Sequence, residues 1–178
     1  MDLNYKLKEN YYLQLQLYFA KDDGRVRKQI IRGTFVWFII LSVFSIFAFR
    51  GFDNPFSYFF PLAALLSLIF SPYRIKESIF KNYQEAVKVY KNEFGKDVNL
   101  KIDDVYIYLV DIDKEVKFKI ETVETIIETG KFYYIKLQTN SIFIPKDELE
   151  DVNQIKEELL ILSQKLNVNY KSDLDWKW

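Results

Sequence analysis

Carboxylates are the reactive side chains this sequence offers most freely. Asp111 and Asp113 form a D-x-D, a spacing at which two carboxylates can share a divalent cation, and Asp103-Asp104 is a second acidic pair. Glu121, Glu124 and Glu128 recur within eight residues, as a general acid and base would if their separation were fixed and one pKa raised. Nothing in the pattern supplies either condition. The aspartates fall between short alternating segments and read as solvated hairpin turns, and the glutamates read as a solvated edge. Serine-lysine catalysis is chemically open, yet no serine stands in a recognisable nucleophile turn. Lys146-Asp147-Glu148-Leu149 would be a retrieval signal at a C-terminus, but here it is internal. The 178 residues include no His and no Cys, which excludes an imidazole base, a thiolate nucleophile, a Cys/His zinc or haem site and a disulfide. The sequence therefore reads as that of a non-enzymatic protein, with no catalytic residue, metal or cofactor implied.

The elements that would position any site divide the chain in two. Net charge is zero, with 25 basic and 25 acidic side chains, but residues 1–94 carry 13 basic against 8 acidic groups and residues 95–178 carry 12 against 17. The apolar residues cluster in the basic half. That pairing points to an anionic membrane surface, not to nucleic acid. From Gly33 to Phe49 the chain reads GTFVWFIILSVFSIFAF without a charge, and from Pro55 a second uncharged run continues to Tyr73. Each run is close to the roughly 20 residues that cross a hydrocarbon core. Both are apolar on every face, unlike a surface helix of a soluble domain. Arg50 to Asn54 is a polar turn ending at Pro55, so 33–49 and 55–73 are expected to form a transmembrane hairpin, with a kink near Phe56–Phe60 from Pro61. A cleaved signal peptide is not expected, because some thirty mixed residues precede the first run.

Interface residues follow from these spans. Arg25, Arg27, Lys28 and Arg32 precede the hairpin, Arg74 and Lys76 follow it, and Arg50 lies in its turn, where long basic side chains can snorkel. Trp37 and Tyr73 are amphipathic aromatics suited to the headgroup region. The positive flanks place residues 1–32 and everything after the hairpin in the cytoplasm. Ala63, Ala64 and Ser67 permit close helix approach and hence a homo-oligomer, although their spacing is no dimer motif.

Residues 74–95 have helical spacing and end at Gly95, a helix standing the next domain off the membrane. The period then changes to two. Val98 to Ile102, Val105 to Val110, Val116 to Ile120, Thr125 to Thr129, Phe132 to Gln138 and Ser141 to Ile144 are expected to be six antiparallel strands joined by tight turns. Leu149, Val152, Ile155, Leu159, Leu162 and Leu166 mark an amphipathic helix, with Asp147 and Glu150 placed as its capping pair. The expectation is an α+β fold: a small antiparallel sheet or barrel over 96–168, flanked by that C-terminal helix. Leu3, Tyr5 and Leu7 alternate and are expected to add an edge strand to it, and Tyr11–Phe19 is read as helix. Residues 169–178 form a tail whose Trp176 and Trp178 are candidate partner contacts.

The order of these elements, with Ile120, Val123, Ile126, Ile127, Gly130–Leu137 and Ile142-Phe143-Ile144-Pro145-Lys146 in the β-region, resembles the YcxB-like membrane proteins. Their C-terminal domain is similar to a pleckstrin-homology-type barrel. The resemblance implies an integral protein of the bacterial cytoplasmic membrane and supplies no catalytic residues. A phosphoinositide site would need basic loops, whereas residues 95–178 are net acidic and their turns are rich in Asp. The function expected is that of a membrane-anchored adaptor or regulator presenting its cytoplasmic domain to a protein partner. The alternative is a self-protection protein acting against a membrane-active toxin or bacteriocin.

Overall fold

A computed structural model of the chain describes residues 1–22, 24–48, 59–111 and 114–178. The fold is mixed α+β and divides into two compact units, Met1–Leu15 with Lys88–Trp178, and Gln16–Val87. The first unit carries 16 basic and 20 acidic side chains, and the second 9 and 5, so the charge division of the sequence coincides with a structural one.

In the first unit, β1 (Asp2–Lys6), β2 (Asp97–Ile102), β3 (Tyr106–Val110) and β4 (Glu115–Lys119) form an antiparallel sheet in chain order. β1 pairs with β2 from Asp2↔Lys101 to Lys6↔Asp97, so the N-terminal strand joins at the edge. The pairing runs on past the strands: Leu7 N–H donates to the Lys96 carbonyl at 3.0 Å, and Gly95 N–H donates to the Leu7 carbonyl at 2.7 Å. Gly95 makes this turn at φ +82°, a left-handed conformation that a side chain would strain. The 3₁₀ turn Ile120–Thr122 then carries the chain to a second sheet.

That second sheet holds β5 (Val123–Thr129), β6 (Phe132–Leu137), β7 (Ser141–Pro145) and β8 (Asn169–Asp173), in the order β7-β6-β5-β8. The six expected strands are present but are shared between two four-stranded sheets, and no closed barrel forms among the described residues. β6 is buried on both faces, which explains its unbroken Phe132-Tyr133-Tyr134-Ile135 run. Tyr133 reaches the Val152 carbonyl at 3.2 Å on one side, while Phe132 meets the Tyr11 ring edge-on at 5.3 Å on the other. The tail differs from expectation. Asn169–Asp173 is a strand parallel to β5, reached through the helix α4 (Val152–Leu166). α4 is capped by Asp151, whose carboxylate accepts the Asn153 and Gln154 N–H groups, and not by the Asp147/Glu150 pair. Asp147 instead accepts the Tyr11 hydroxyl at 2.8 Å.

α1 (Glu9–Asp22) passes from the first unit into the second, confirming helix over Tyr11–Phe19. The second unit is built on α2 (Arg25–Ala48) and α3 (Phe59–Val87). A Cβ on Gly33 would stand 2.8 Å from Ile75 Cδ1, so the glycine lets the Ile75 side chain lie directly against the α2 backbone, and a larger residue would make that side chain shift. Phe44 stacks on Phe60 with centroids 6.0 Å apart. The two contacts, at 33/75 and 44/60, make the helices antiparallel. Although the buried Thr34 hydroxyl of α2 has no partner among the described residues, serine hydroxyls inside these helices are consumed locally: Ser42 donates to the Phe38 carbonyl, Ser45 to Leu41, Ser67 to Ala64 and Ser71 to Ser67. Such internal satisfaction is what a hydrocarbon environment requires. Pro61 is the third residue of α3, a first-turn position where its missing N–H costs little, and the proline interior to the helix is Pro72. The turn from Arg50 to Asn54, Pro55 and the 56–58 part of the expected kink lie outside the described residues.

α2 and α3 are long and apolar enough to cross a membrane. Only 11% and 6% of their apolar windows are buried, whereas the core helix of a soluble protein would be mostly covered. Phe35, Ile39, Phe47, Leu65, Ile69 and Phe70 are all more than half exposed.

Candidate functional site

A predominantly apolar recess lies wholly within the first unit, between its two sheets. It is a cavity of about 330 Å³, with Tyr5, Val98, Leu109 and Val116 from one sheet and Ile142 and Phe143 from the other. Leu7, Tyr12, Leu15 and Tyr90 complete the wall. Tyr12 and Tyr90 stack at 5.0 Å with planes 9° apart, and Phe143 meets Tyr12 edge-on at 5.4 Å. Alternation dictates which side chains point inward: Leu109 and Val116 are cross-strand partners on one face of the β3–β4 pair, and Leu100 and Leu109 on the same face of β2–β3. The strand residues are marked by their pattern in the sequence, but the recess has no local signature, because its aromatic wall draws on segments far apart in the chain.

The mouth is polar. Glu93 receives Lys114 at 2.9 Å and Lys96 at 3.4 Å, and Asp111 accepts the Lys114 N–H. The hydrogen bond from Lys114 holds the Glu93 carboxyl below its usual range, against the opposing effect of burial, and the same contact raises Lys114. Burial, with Glu93, Tyr90 and Asp111 nearby, pushes the Tyr12 hydroxyl up to about 12. At neutral pH the two mouth groups are therefore charged and the phenol neutral. The arrangement suits an apolar or aromatic guest whose polar end stays at the mouth, and none of these three groups is poised to exchange a proton near neutrality.

The acidic groups weighed in the sequence fall into different roles. Asp103 accepts the N–H groups of Val105 and Tyr106, which hold its carboxyl low, and Asp104 pairs with Lys165. Together with Asp111 they are turn-forming residues, as read from the sequence; Asp113 lies outside the described residues. Among the described residues no cluster of three or more His, Cys, Asp or Glu is placed to hold a metal ion. Glu121 is exposed, and Glu124 pairs with Lys136 at 2.9 Å. Glu128 departs from the solvated-edge reading: its side chain is 5% exposed and is bound by Lys146 at 2.9 Å, Lys156 at 3.1 Å and the Tyr170 hydroxyl at 3.0 Å.

The expected interface residues stand on the helical pair. Arg25, Arg27, Lys28 and Arg32 occupy the first two turns of α2, and Trp37 follows; Tyr73, Arg74 and Lys76 lie on α3, and all are exposed. Because Gly33 abuts Ile75, the preceding residues Arg32 and Arg74 stand at nearly the same height along the antiparallel pair. A single boundary between apolar and polar surroundings needs that levelling. Arg50 lies outside the described residues. Trp176 and Trp178 are half-buried after β8, where Trp176 N–H closes a turn onto the Asp173 carbonyl at 3.2 Å.

No protein-family model, no curated protein and no solved structure matches this chain.

Proposed function

We propose that this is a membrane-anchored adaptor or regulator of YcxB-like type. α2 and α3 hold it in the bacterial cytoplasmic membrane, and the acidic α/β unit, with a pleckstrin-homology-like plan, is offered to a cytoplasmic protein. The observation that carries the reading is the pairing of two nearly uncovered apolar helices with a separate, net acidic unit that owns an aromatic recess. Exposed apolar helix surface of that extent favours a hydrocarbon solvent. The recess supplies what a protein partner's anchor needs, a desolvated aromatic pocket with a charged rim. The net charge of the unit favours a partner with basic residues around an apolar anchor side chain.

A photo-crosslinking phenylalanine at Tyr90, aromatic replacing aromatic, tests this in native membranes. The expected result is one defined protein attached at this position, lost when Ser141→Trp fills the recess and absent from a control probe at the exposed Glu157 on α4. Equal capture at both positions, or capture indifferent to Ser141→Trp, would overturn the adaptor reading.

A further inference from the structure

We infer that β4 is a self-complementary edge through which two copies of this chain pair strand to strand. β4 ends its sheet, and its residues Glu115 to Lys119 are exposed except for a half-covered Phe118. The direction of its backbone groups can be assigned. Ile120 N–H donates to the Val105 carbonyl and Asp111 N–H to the Lys114 carbonyl. The intervening register runs from Tyr106↔Lys119 to Val110↔Glu115. Bonded pairs alternate along an antiparallel ladder, so Val116 and Phe118 bond to β3, while the N–H and C=O groups of Glu115, Lys117 and Lys119 point to the open side. The Lys119 carbonyl also accepts the Thr122 hydroxyl at 2.6 Å and has its second lone pair left.

A second β4 laid antiparallel about a twofold axis at Lys117 meets every one of these groups. Glu115 then faces Lys119 of the other copy, and Lys119 faces Glu115, so the outward residues form exchanging pairs that are also ion pairs of opposite sign. On the inner face Val116 meets Phe118 of the other copy, covering a valine that is 41% exposed. The one like-charge meeting is Lys117 with its own copy. That conflict is relieved within each chain, because the Lys117 ammonium sits 3.6 Å from the Tyr106 ring centroid and 5.0 Å from that of Tyr108, drawn sideways onto β3. β4 is short and carries lysines, two of the usual protections of an edge, but it has no proline, no bulge and no inward-pointing charge, and its charges are placed to pair with those of a second copy. A heterologous peptide would need no symmetry of this kind. A second copy explains why opposite charges stand equidistant from the centre of the strand.

The absence of cysteine gives a clean background for the test, made on the full chain in its membrane. Lys117→Cys should form a disulfide-linked dimer roughly tenfold faster than Lys101→Cys on the interior strand β2, the margin that pre-assembly gives over chance encounter. Co-expressed Glu115→Cys and Lys119→Cys chains should link to each other in preference to themselves, which reads the register. Glu115→Lys in the Lys117→Cys background should lower linking severalfold, and adding Lys119→Glu should restore it by reversing both charges. Equal linking at 117 and 101, preferential self-linking of Glu115→Cys, failure of the double reversal, or attachment of Lys117→Cys to a different protein would each overturn the pairing. All these outcomes can be reached whether or not the aromatic recess binds a partner.

Discussion

A carboxylate hidden from water needs donors on every side, and Glu128 has them. Burial by itself would raise its pKa, but hydrogen bonds from Lys146, Lys156 and Tyr170 outweigh it and hold the group below the usual carboxylate range. They join β5 to the turn after β7, to α4 and to β8. Glu128→Ala strands the largely covered Lys146, and is expected to cost about 2–3 kcal/mol, less than a fully buried pair because Lys146 and Lys156 both keep some contact with water. The sign of the pH effect follows from the depressed pKa. Stabilisation is complete above the unfolded carboxylate value of about 4.3 and is lost as pH falls through the lower folded value. Thermal unfolding of the detergent-solubilised chain should therefore drop more steeply below about pH 4.5 in the wild type than in Glu128→Gln; parallel curves would deny the carboxylate this role. The residue was illegible in the sequence because Glu121, Glu124 and Glu128 look alike in a strand, and only the arrival of Tyr170 from a distant strand distinguishes the third.

Elements were legible where alternation or helical spacing was local. β2 and β4 follow from alternation, β3 and β5 to β7 from short apolar or β-branched runs between turn residues, and β1 from Leu3, Tyr5 and Leu7. What alternation does not encode is which strands share a sheet. The Ile120–Thr122 turn decides that, and so short a segment carries too little pattern to announce a change of sheet. β8 was missed for a different reason: NYKSD is polar, and a parallel pairing depends on a crossover helix rather than on a turn. The cap of α4 stands at Asp151, four residues beyond the expected Asp147 of the Asp147/Glu150 pair. Asp151→Ala should lower stability by about 1 kcal/mol, read as a fall in the thermal midpoint, whereas Glu150→Ala should leave it nearly unchanged. Removal of residues 1–8 deletes β1 and the Lys8 contacts with Asp147 and Glu148. It should expose the first unit to limited proteolysis between β2 and β7, and undiminished protection would show that the strand is dispensable.

For the whole molecule, a net charge of zero is the sum of two opposed units, +4 for Gln16–Val87 and −4 for the remainder. Reporter fusions at Asn54 and after Trp178 should report opposite compartments, and reporters on one side would refute the hairpin. The chain should resist extraction by salt or alkaline carbonate and yield to detergent, since apolar exposure, not charge, retains it. A cell sensitive to a pore-forming peptide separates the adaptor from a self-protection protein. Protection retained by Gln16–Val87 with the α/β unit disrupted through β1 would favour the latter, while the adaptor reading expects no protection in either form.

The pairing of β1 with β2 also acts as a count. Met1–Leu15 and Lys88–Trp178 belong to one folded unit. A chain that leaves such a unit and later rejoins it must traverse a bilayer an even number of times, whatever its flanking charges prefer. The sheet is thus a parity check on insertion: a chain with an odd number of traverses leaves Asp2–Lys6 and Asp97–Ile102 in different compartments and the edge of β2 bare.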